Sequence, residues 1–379
     1  MQREYIYRAV VSVLSSVVAV VICEFLYRSI NPVANVYALT PTPDPYDFYS
    51  YDPRLGWANK PGVTGVFKRA EFSYTASIND VGLRQKAVAK EKAAGTFRIV
   101  ALGDSFLWGI GVSDNERVSE VLERKFNGVE VLNLGVSGYG PIQYSLMTEK
   151  VLGLRPDLVI ILFCLSNDFA DNVLFQRYGY YKPYAELDEG RGIVIKGLPP
   201  PDVKKFGFAT SQGNKLWGSR LLADVGTMLR NHSREQKGLI GFDSELIYSD
   251  DKVLSTKERR LKHDAILINE ALLSRFAREL AENDLPLIMV SAPTKREYSK
   301  DFSYGHNGYF FQAETVLRET CKRLGLPLVE TVSSLNGYDF WKEDGHWKPE
   351  GHGKVADLIA AFIRKHKLLP GNKKMENEE

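Results

Sequence analysis

The sequence predicts an α/β protein, a three-layer α/β/α sandwich built on a mainly parallel five-stranded sheet. Short apolar runs at Phe97–Gly103, Val129–Leu134 and Leu158–Cys164 have strand length, and each ends on Gly, Ser, Asn or Asp. Helical patterns lie between them, at Glu116–Phe126 and Pro141–Leu152. The alternation then resumes. Ser255 with Glu258 three residues later is a capping-box signature opening a long helix to about Glu282. Pro286–Val290 reads as a fourth strand, Leu326–Glu330 as a fifth, and an amphipathic helix follows from Gly353 to roughly Lys367. Strands alternating with helices imply a parallel sheet covered on both faces, in a flavodoxin-like arrangement.

The amino end differs. Arg3 and Arg8 precede a nearly continuous apolar run, Ala9–Cys23, which ends at Glu24. Positive charge ahead of such a run predicts a single-pass signal anchor over residues 1–28 in the inner (cytoplasmic) membrane, with the rest of the chain extracytoplasmic, in the periplasm. The small-residue context at Val36–Ala38 lies far beyond the run, which favours an uncleaved anchor over a signal peptide, and Ile22 ahead of Cys23 is too large for a lipoprotein signal. Residues 29–50, with Thr40-Pro-Thr-Pro-Asp-Pro45, read as a semi-rigid spacer. Residues 51–95 carry short alternating stretches, Gly65–Lys68 and Phe72–Ile78, that predict a small antiparallel hairpin capping the main domain, 96–369. Within that domain the alternation breaks over 170–254, an insertion that starts with Tyr178, Tyr180, Tyr181 and Tyr184 and later holds Trp217. Placed beside a site, it would form a lid or groove suited to a sugar ring or acyl chain; otherwise its tyrosines pack a small subdomain. Residues 370–379 are a polar tail.

Composition narrows the function. A formal net charge of +2 with scattered basic residues gives no case for nucleic acid, and no dinucleotide fingerprint or zinc-finger spacing occurs. Three cysteines, Cys23, Cys164 and Cys321, do not make a disulfide framework. No metal site or other cofactor is implied, because His346 and His352 lack clustered ligand partners beyond Asp344.

The chemistry sits at strand ends. Gly103-Asp104-Ser105 closes the first strand, where α/β enzymes put their reactive groups, and Ser105 is the candidate nucleophile. The second strand ends in Gly135-Val-Ser-Gly138-Tyr-Gly140 and the third in Leu165-Ser-Asn167-Asp168. Backbone N–H groups of Ser105 and Gly138 with the Asn167 amide would make a three-donor oxyanion hole; a Gly-rich turn and an Asx turn are the plainer reading of those loops. Near the carboxyl end, Asp344-Gly-His346 precedes Pro349, which suits the first turn of the last helix. Two residues apart in an extended segment, Asp344 and His346 would point to one side, letting the carboxylate orient the imidazole as general base for Ser105.

These four loops resemble the SGNH (GDSL-type) serine hydrolase superfamily over about Gly95 to Leu369. Gly103-Asp104-Ser105 matches its first block, Asn133–Gly138 its second and Asn167-Asp168 the core of its third. The resemblance implies Ser105 as nucleophile, Ser105, Gly138 and Asn167 at the oxyanion, and His346 as base with Asp344 behind it. Leu165 stands where the family usually has Gly, and Asp344-Gly-His346 replaces the usual Asp-x-x-His. The shorter spacing resembles a variant among SGNH-like proteins that handle acyl groups on bacterial exopolysaccharides, and it leaves two possible bases. His346 is preferred over His352, which should fall within or beside the helix start. The Asn79-Asp-Val-Gly-Leu-Arg84 turn also resembles the front end of membrane-tethered members. The expectation is an esterase that removes acyl groups, acetyl first among them, from an extracytoplasmic carbohydrate through an acyl-Ser105 intermediate. An O-acyltransferase of a cell-surface or secreted polysaccharide would use the same residues, and a catalytically idle carbohydrate-binding or assembly protein is the rival from another class.

Overall fold

A computed structural model describes residues 48–88, 91–177, 180–190, 192–202, 255–298 and 309–369, with scattered helical positions between 4 and 26. The chain divides into two units. One comprises 1–41 with 205–241, and the other comprises 42–204 with 242–379. In the first unit, the described positions are helical, with an Arg8–Glu4 ion pair one turn apart. Among the described residues no helix is long and apolar enough to cross a membrane. Much of the segment expected as an anchor, all of 29–47, Tyr178, 203–254 with Trp217, and the tail 370–379 lie outside the described residues.

The second unit runs β1 (Tyr49–Asp52), β2 (Gly56–Asn59), β3 (Thr64–Lys68), β4 (Ser73–Ser77), β5 (Phe97–Gly103), α1 (Ser105–Trp108), α2 (Val118–Glu123) and β6 (Val129–Asn133). It continues through α3 (Pro141–Leu146), α4 (Thr148–Gly153), β7 (Leu158–Cys164), α5 (Asp168–Asp171), β8 (Gln176–Arg177), β9 (Tyr180–Tyr181), β10 (Tyr184–Leu187) and β11 (Ile193–Lys196). The last elements are α6 (Thr256–Ala281), β12 (Leu287–Ala292), α7 (Tyr309–Leu324), β13 (Leu328–Val329) and α8 (Pro349–Lys365).

Five strands form the central sheet in the order β13-β12-β7-β5-β6, and every neighbouring pair is parallel. Alternate residues of each strand face opposite layers. Val100, Leu102, Val159, Ile161 and Met289 pack with Tyr144, Val151, Leu273, Phe276 and Leu317 from α3, α4, α6 and α7. Ile99, Ala101, Ile160, Leu162 and Val290 pack with Leu107, Leu122, Val355, Ile359 and Ile363 from α1, α2 and α8. The strand order reverses between β5 and β7. The loops leaving those two strands diverge there, which opens a crevice at their carboxyl ends.

The expected amino-terminal hairpin is β3–β4, where Thr64–Lys68 pairs with Ser73–Ser77, and a second one, β1–β2, precedes it, where Tyr49–Asp52 pairs with Gly56–Asn59. Two expectations need correcting. The helix expected over 116–126 is cut to α2 by Arg117, which is extended (φ −69°, ψ 153°). The helix expected over 141–152 is two, broken where Met147 leaves helical geometry (φ −93°, ψ 3°). In the described part of the insertion, β8–β9 and β10–β11 are short antiparallel ladders. Its tyrosines pack inward: Tyr180 lies 5.3 Å from Trp57, and Tyr181 and Tyr184 flank Phe175 at 6.1 and 6.3 Å.

Candidate active site

Ser105 is the first residue of α1, at the carboxyl end of a central strand. A Cβ on Gly103 would stand 2.7 Å from the Leu107 Cβ, so only glycine lets the helix fold back this closely on the strand. The buried Asp104 side chain caps α1 by accepting from the Phe106 N–H at 2.9 Å. At the other end, Gly109 takes a left-handed φ of 89°, and the buried Arg84 side chain supplies donors to the carbonyls of Trp108 (3.0 Å), Gly109 (2.6 Å) and Val112 (2.7 Å). Its guanidinium lies over the rings of Tyr74 and Trp108 and pairs with Asp114 at 2.8 Å. The short helix carrying Ser105 is thus held at both ends by buried polar side chains, Asp104 and Arg84.

His346 meets Ser105 from the far end of the chain. The Ser105 hydroxyl donates to Nε2 at 2.8 Å, and the Nδ1–H donates to the Asp344 carboxylate. The segment joining the pair is a tight turn and not extended as the sequence suggested. Gly345 has φ 83°, the Trp341 N–H bonds the His346 carbonyl at 2.9 Å, and Phe340 bridges Trp347 below it. The left-handed glycine folds the two side chains onto each other. Phe106 covers the imidazole with ring centroids 4.8 Å apart. Burial pulls the imidazole pKa down, but the adjoining Asp344 carboxylate outweighs it and leaves His346 above its ordinary value. Burial pushes Asp344 up in turn, and His346 more than cancels this, holding the carboxyl below its usual range.

The other histidine is turned to a different partner. His352 lies inside the first turn of α8, buried, with its Nδ1 accepting the Val118 N–H at 3.2 Å. Burial, with Arg117 and Arg84 nearby, lowers its pKa to about 3, so it is a neutral acceptor that ties α8 to α2.

The glycine loop after β6 lies close against α1. Gly135 has no room for a side chain beside the Trp108 N and Leu107 backbone, and the Asn133 side chain bridges the Leu107 carbonyl (2.7 Å), the Ser119 hydroxyl (2.7 Å) and the Gly135 N–H (2.9 Å). Gly138 takes φ 77°, and among the described residues its N–H has no backbone acceptor. The first hairpin grips this loop. Trp57 Nε1–H donates to the Ser137 carbonyl at 3.0 Å, the Tyr49 hydroxyl to Ser137 Oγ at 2.8 Å, and Asn59 Nδ2 to the Gly135 carbonyl at 3.2 Å.

Asn167 is oriented differently from an open oxyanion donor. Its amide donates to Asp168 Oδ1 at 3.1 Å and to Asp171 Oδ2 at 2.9 Å, while its carbonyl accepts from the Cys164 thiol and from Ser166. Asp168 is fully buried; burial and the neighbouring Asp104 and Asp171 push its pKa well up. Asp171 is paired with Arg177 of the insertion at 2.5 Å, and Lys182 Nζ, lowered by burial to about 8, donates to the Asp171 carbonyl. Both amide hydrogens are therefore committed to carboxylates.

Two residues shape the site without a role that the sequence assigns. Arg84 ends the Asn79–Arg84 turn, the one local signal that could have marked it. Glu71 sits between β3 and β4 and accepts three successive N–H groups of the Asp344–His346 turn, at Lys342 (2.8 Å), Glu343 (2.7 Å) and Asp344 (3.2 Å). Among the described residues no cluster of three or more His, Cys, Asp or Glu side chains is arranged to hold a metal ion.

Residues 247–379 match the family described as SGNH hydrolase-like domain, acetyltransferase AlgX, a segment that holds Asp344 and His346 but not Ser105. No curated protein matches the chain in sequence. Similar solved structures include the lipase/acylhydrolase from Enterococcus faecalis (13% identity, 72% of this chain and 97% of that one, TM-score 0.38). An acetyl xylan esterase, AlAXEase, gives 12% identity over 70% of this chain and 100% of its own, TM-score 0.39. A GDSL-like lipase from Bacteroides thetaiotaomicron gives 12% identity over 74% and 93%, TM-score 0.34.

Proposed function

We propose, from the premise that this chain carries an SGNH hydrolase-like domain, that it cleaves or transfers ester-linked acyl groups by double displacement at Ser105. The observation that carries this reading is the connected chain Ser105–His346–Asp344 at the end of a central strand. The Ser105 oxygen attacks the ester carbonyl as its proton passes to His346 Nε2, and the Asp344 carboxylate stabilises the imidazolium. His346 then protonates the departing alcohol, which leaves an acyl-Ser105. A second hydroxyl, from water or a sugar, gives its proton to His346 and attacks the acyl carbon, and His346 passes that proton to Ser105 Oγ as the serine leaves. The N–H groups of Ser105 and Gly138 face the oxyanion, joined by the Asn167 amide once it is released from Asp168 or Asp171.

The substrate we infer is an acylated carbohydrate, acetyl first, reached outside the cytoplasmic membrane by an enzyme tethered through residues 1–28. Acyl transfer is the second reading, favoured by the family match over 247–379, whose description names an acetyltransferase. An idle binding protein has no use for a serine hydrogen-bonded to a half-buried, carboxylate-backed imidazole.

A serine-reactive fluorophosphonate tests the core of the reading: it should label the wild-type chain once, at Ser105, and leave Ser105→Ala unlabelled. Incubation with an acetyl ester and an oligosaccharide acceptor then separates the products, free acetate for hydrolysis and acetylated oligosaccharide for transfer. An unlabelled wild-type protein that turns over neither ester ends the enzyme reading.

A further inference from the structure

The catalytic turn is held by a residue from outside the sandwich. Asp344 and His346 lie on the turn 341–346, whose own hydrogen bonds close it at Trp341 and His346 but leave the N–H groups of 342, 343 and 344 pointing outward. All three are taken by one carboxylate, Glu71, with Oε1 on Lys342 and Oε2 shared by Glu343 and Asp344. A carboxylate accepting several N–H bonds is among the stronger local anchors available to a loop. Trp341 adds an apolar clasp, packing 5.2 Å from Phe72, the residue next to Glu71.

We propose that Glu71 is a positioning residue for the reaction, holding the 342–344 backbone so that Asp344 faces His346 and His346 faces Ser105. This rests on the function proposed above. Removing the anchor leaves the turn held on its carbonyl side alone, where Lys295 donates from Nζ to the Lys342 carbonyl at 2.8 Å and from its N–H to the Gly345 carbonyl at 3.3 Å, with no acceptor for the three N–H groups. The first group to drift is Asp344, since its own N–H is one of the three.

The charged groups facing the His346 ring are Asp344 and Asp104, which raise its pKa, and Arg69 of the β3–β4 turn, which lowers it. A loosened Asp344 therefore leaves a specific mark: the imidazole titrates lower than in the wild type. Loss of fold stability alone leaves no such mark in the molecules that remain folded.

The test uses the full chain with Glu71→Gln and Glu71→Asp. The second keeps the charge but is one methylene short of spanning three N–H groups, so it reports geometry separately from field. Fluorophosphonate labelling rates, measured across pH and normalised to folded protein, should fall about 10- to 100-fold in both variants, with the midpoint of the pH dependence shifted down. An NMR titration of the His346 ring should show the same downward shift. Unchanged rate and midpoint per folded molecule overturn the proposal, whatever the melting temperature does. A shift in the Gln variant with none in the Asp variant also overturns it, because the effect is then only charge. If the wild type fails to label, the enzyme reading falls, and the NMR titration still decides for or against Glu71.

Discussion

Two histidines on either side of Pro349 occupy opposite electrostatic regimes. His346, on the turn before α8, is one-fifth exposed and carries a carboxylate on one ring nitrogen and a serine on the other, and its pKa lies above ordinary. His352, in the first turn of α8, is buried beside two arginines, accepts a backbone N–H and is lowered to about 3. The sequence presents both in one short loop-to-helix stretch. Burial penalises the charged form at both positions, and the presence or absence of a carboxylate partner sets the sign. An imidazole keeps its proton affinity where an acid offsets its desolvation, and loses it where none does.

The largest expected effects fall on the His346 side. Ser105→Ala should abolish labelling and lower ester turnover by about 10⁶-fold, and His346→Ala should come close to that, because the two act as one unit. Asp344→Asn removes the charge while leaving the turn, and should cost about 10⁴-fold by favouring the wrong tautomer. Activity should rise with pH through a midpoint above 6.5 and level off, since the neutral form accepts the serine proton and Asp344 raises that pKa. A midpoint at or below 6.5 in the wild type would mean that Asp344 is not engaged.

Smaller effects are expected at Asn167, whose amide the structure commits to Asp168 and Asp171. Asn167→Ala leaves two buried carboxyl groups each short of a donor, at a cost of about 1–3 kcal/mol in stability. Turnover per folded molecule should fall by less than about tenfold if the amide stays with the acids, and by about 10²–10³-fold if it swings to the oxyanion. Melting temperature and turnover number on one preparation separate the outcomes.

What the sequence reveals differs with the range of the interaction. Ser105 is readable because an apolar strand, a glycine and a cap occur within nine consecutive residues, all local signals. Asp344 and His346 are readable as residue types, but the turn that joins them is not. Alternation in an extended segment and a left-handed Gly345 bring side chains i and i+2 together equally well, and nothing local distinguishes them. The direction of the Asn167 amide depends on Asp171 and on Arg177 behind it, a network formed only when the insertion packs. Glu71 is invisible from sequence for the same reason: it reaches Lys342 across 271 positions, and an acidic residue in a hairpin turn is otherwise ordinary. The five strands are legible because each is bounded by its own turn residues, while the break at Met147 has no glycine or proline to announce it.

The smallest effect on turnover, and the sharpest contrast between the two histidines, is expected at His352. His352→Gln should leave turnover per folded molecule near the wild-type value, since the side chain touches neither Ser105 nor His346, and its amide oxygen can still accept the Val118 N–H. The change shows in how stability depends on pH. A histidine whose pKa is depressed on folding binds fewer protons in the folded state than in the unfolded one across the interval from about 6.5 down to about 3. Its contribution is therefore complete above pH 6.5 and drains away as the solution is acidified, at up to about 1.4 kcal/mol per pH unit. His346, with its pKa raised, acts in the opposite direction, contributing most below 6.5 and losing that contribution as pH rises through its folded value. Denaturant melts between pH 4 and 8 should thus show acid destabilisation that is shallower in His352→Gln, whereas His346→Gln removes a loss on the alkaline side. An unchanged acid limb in His352→Gln would show that this imidazole is not held neutral in the fold, and would return it to consideration as the base.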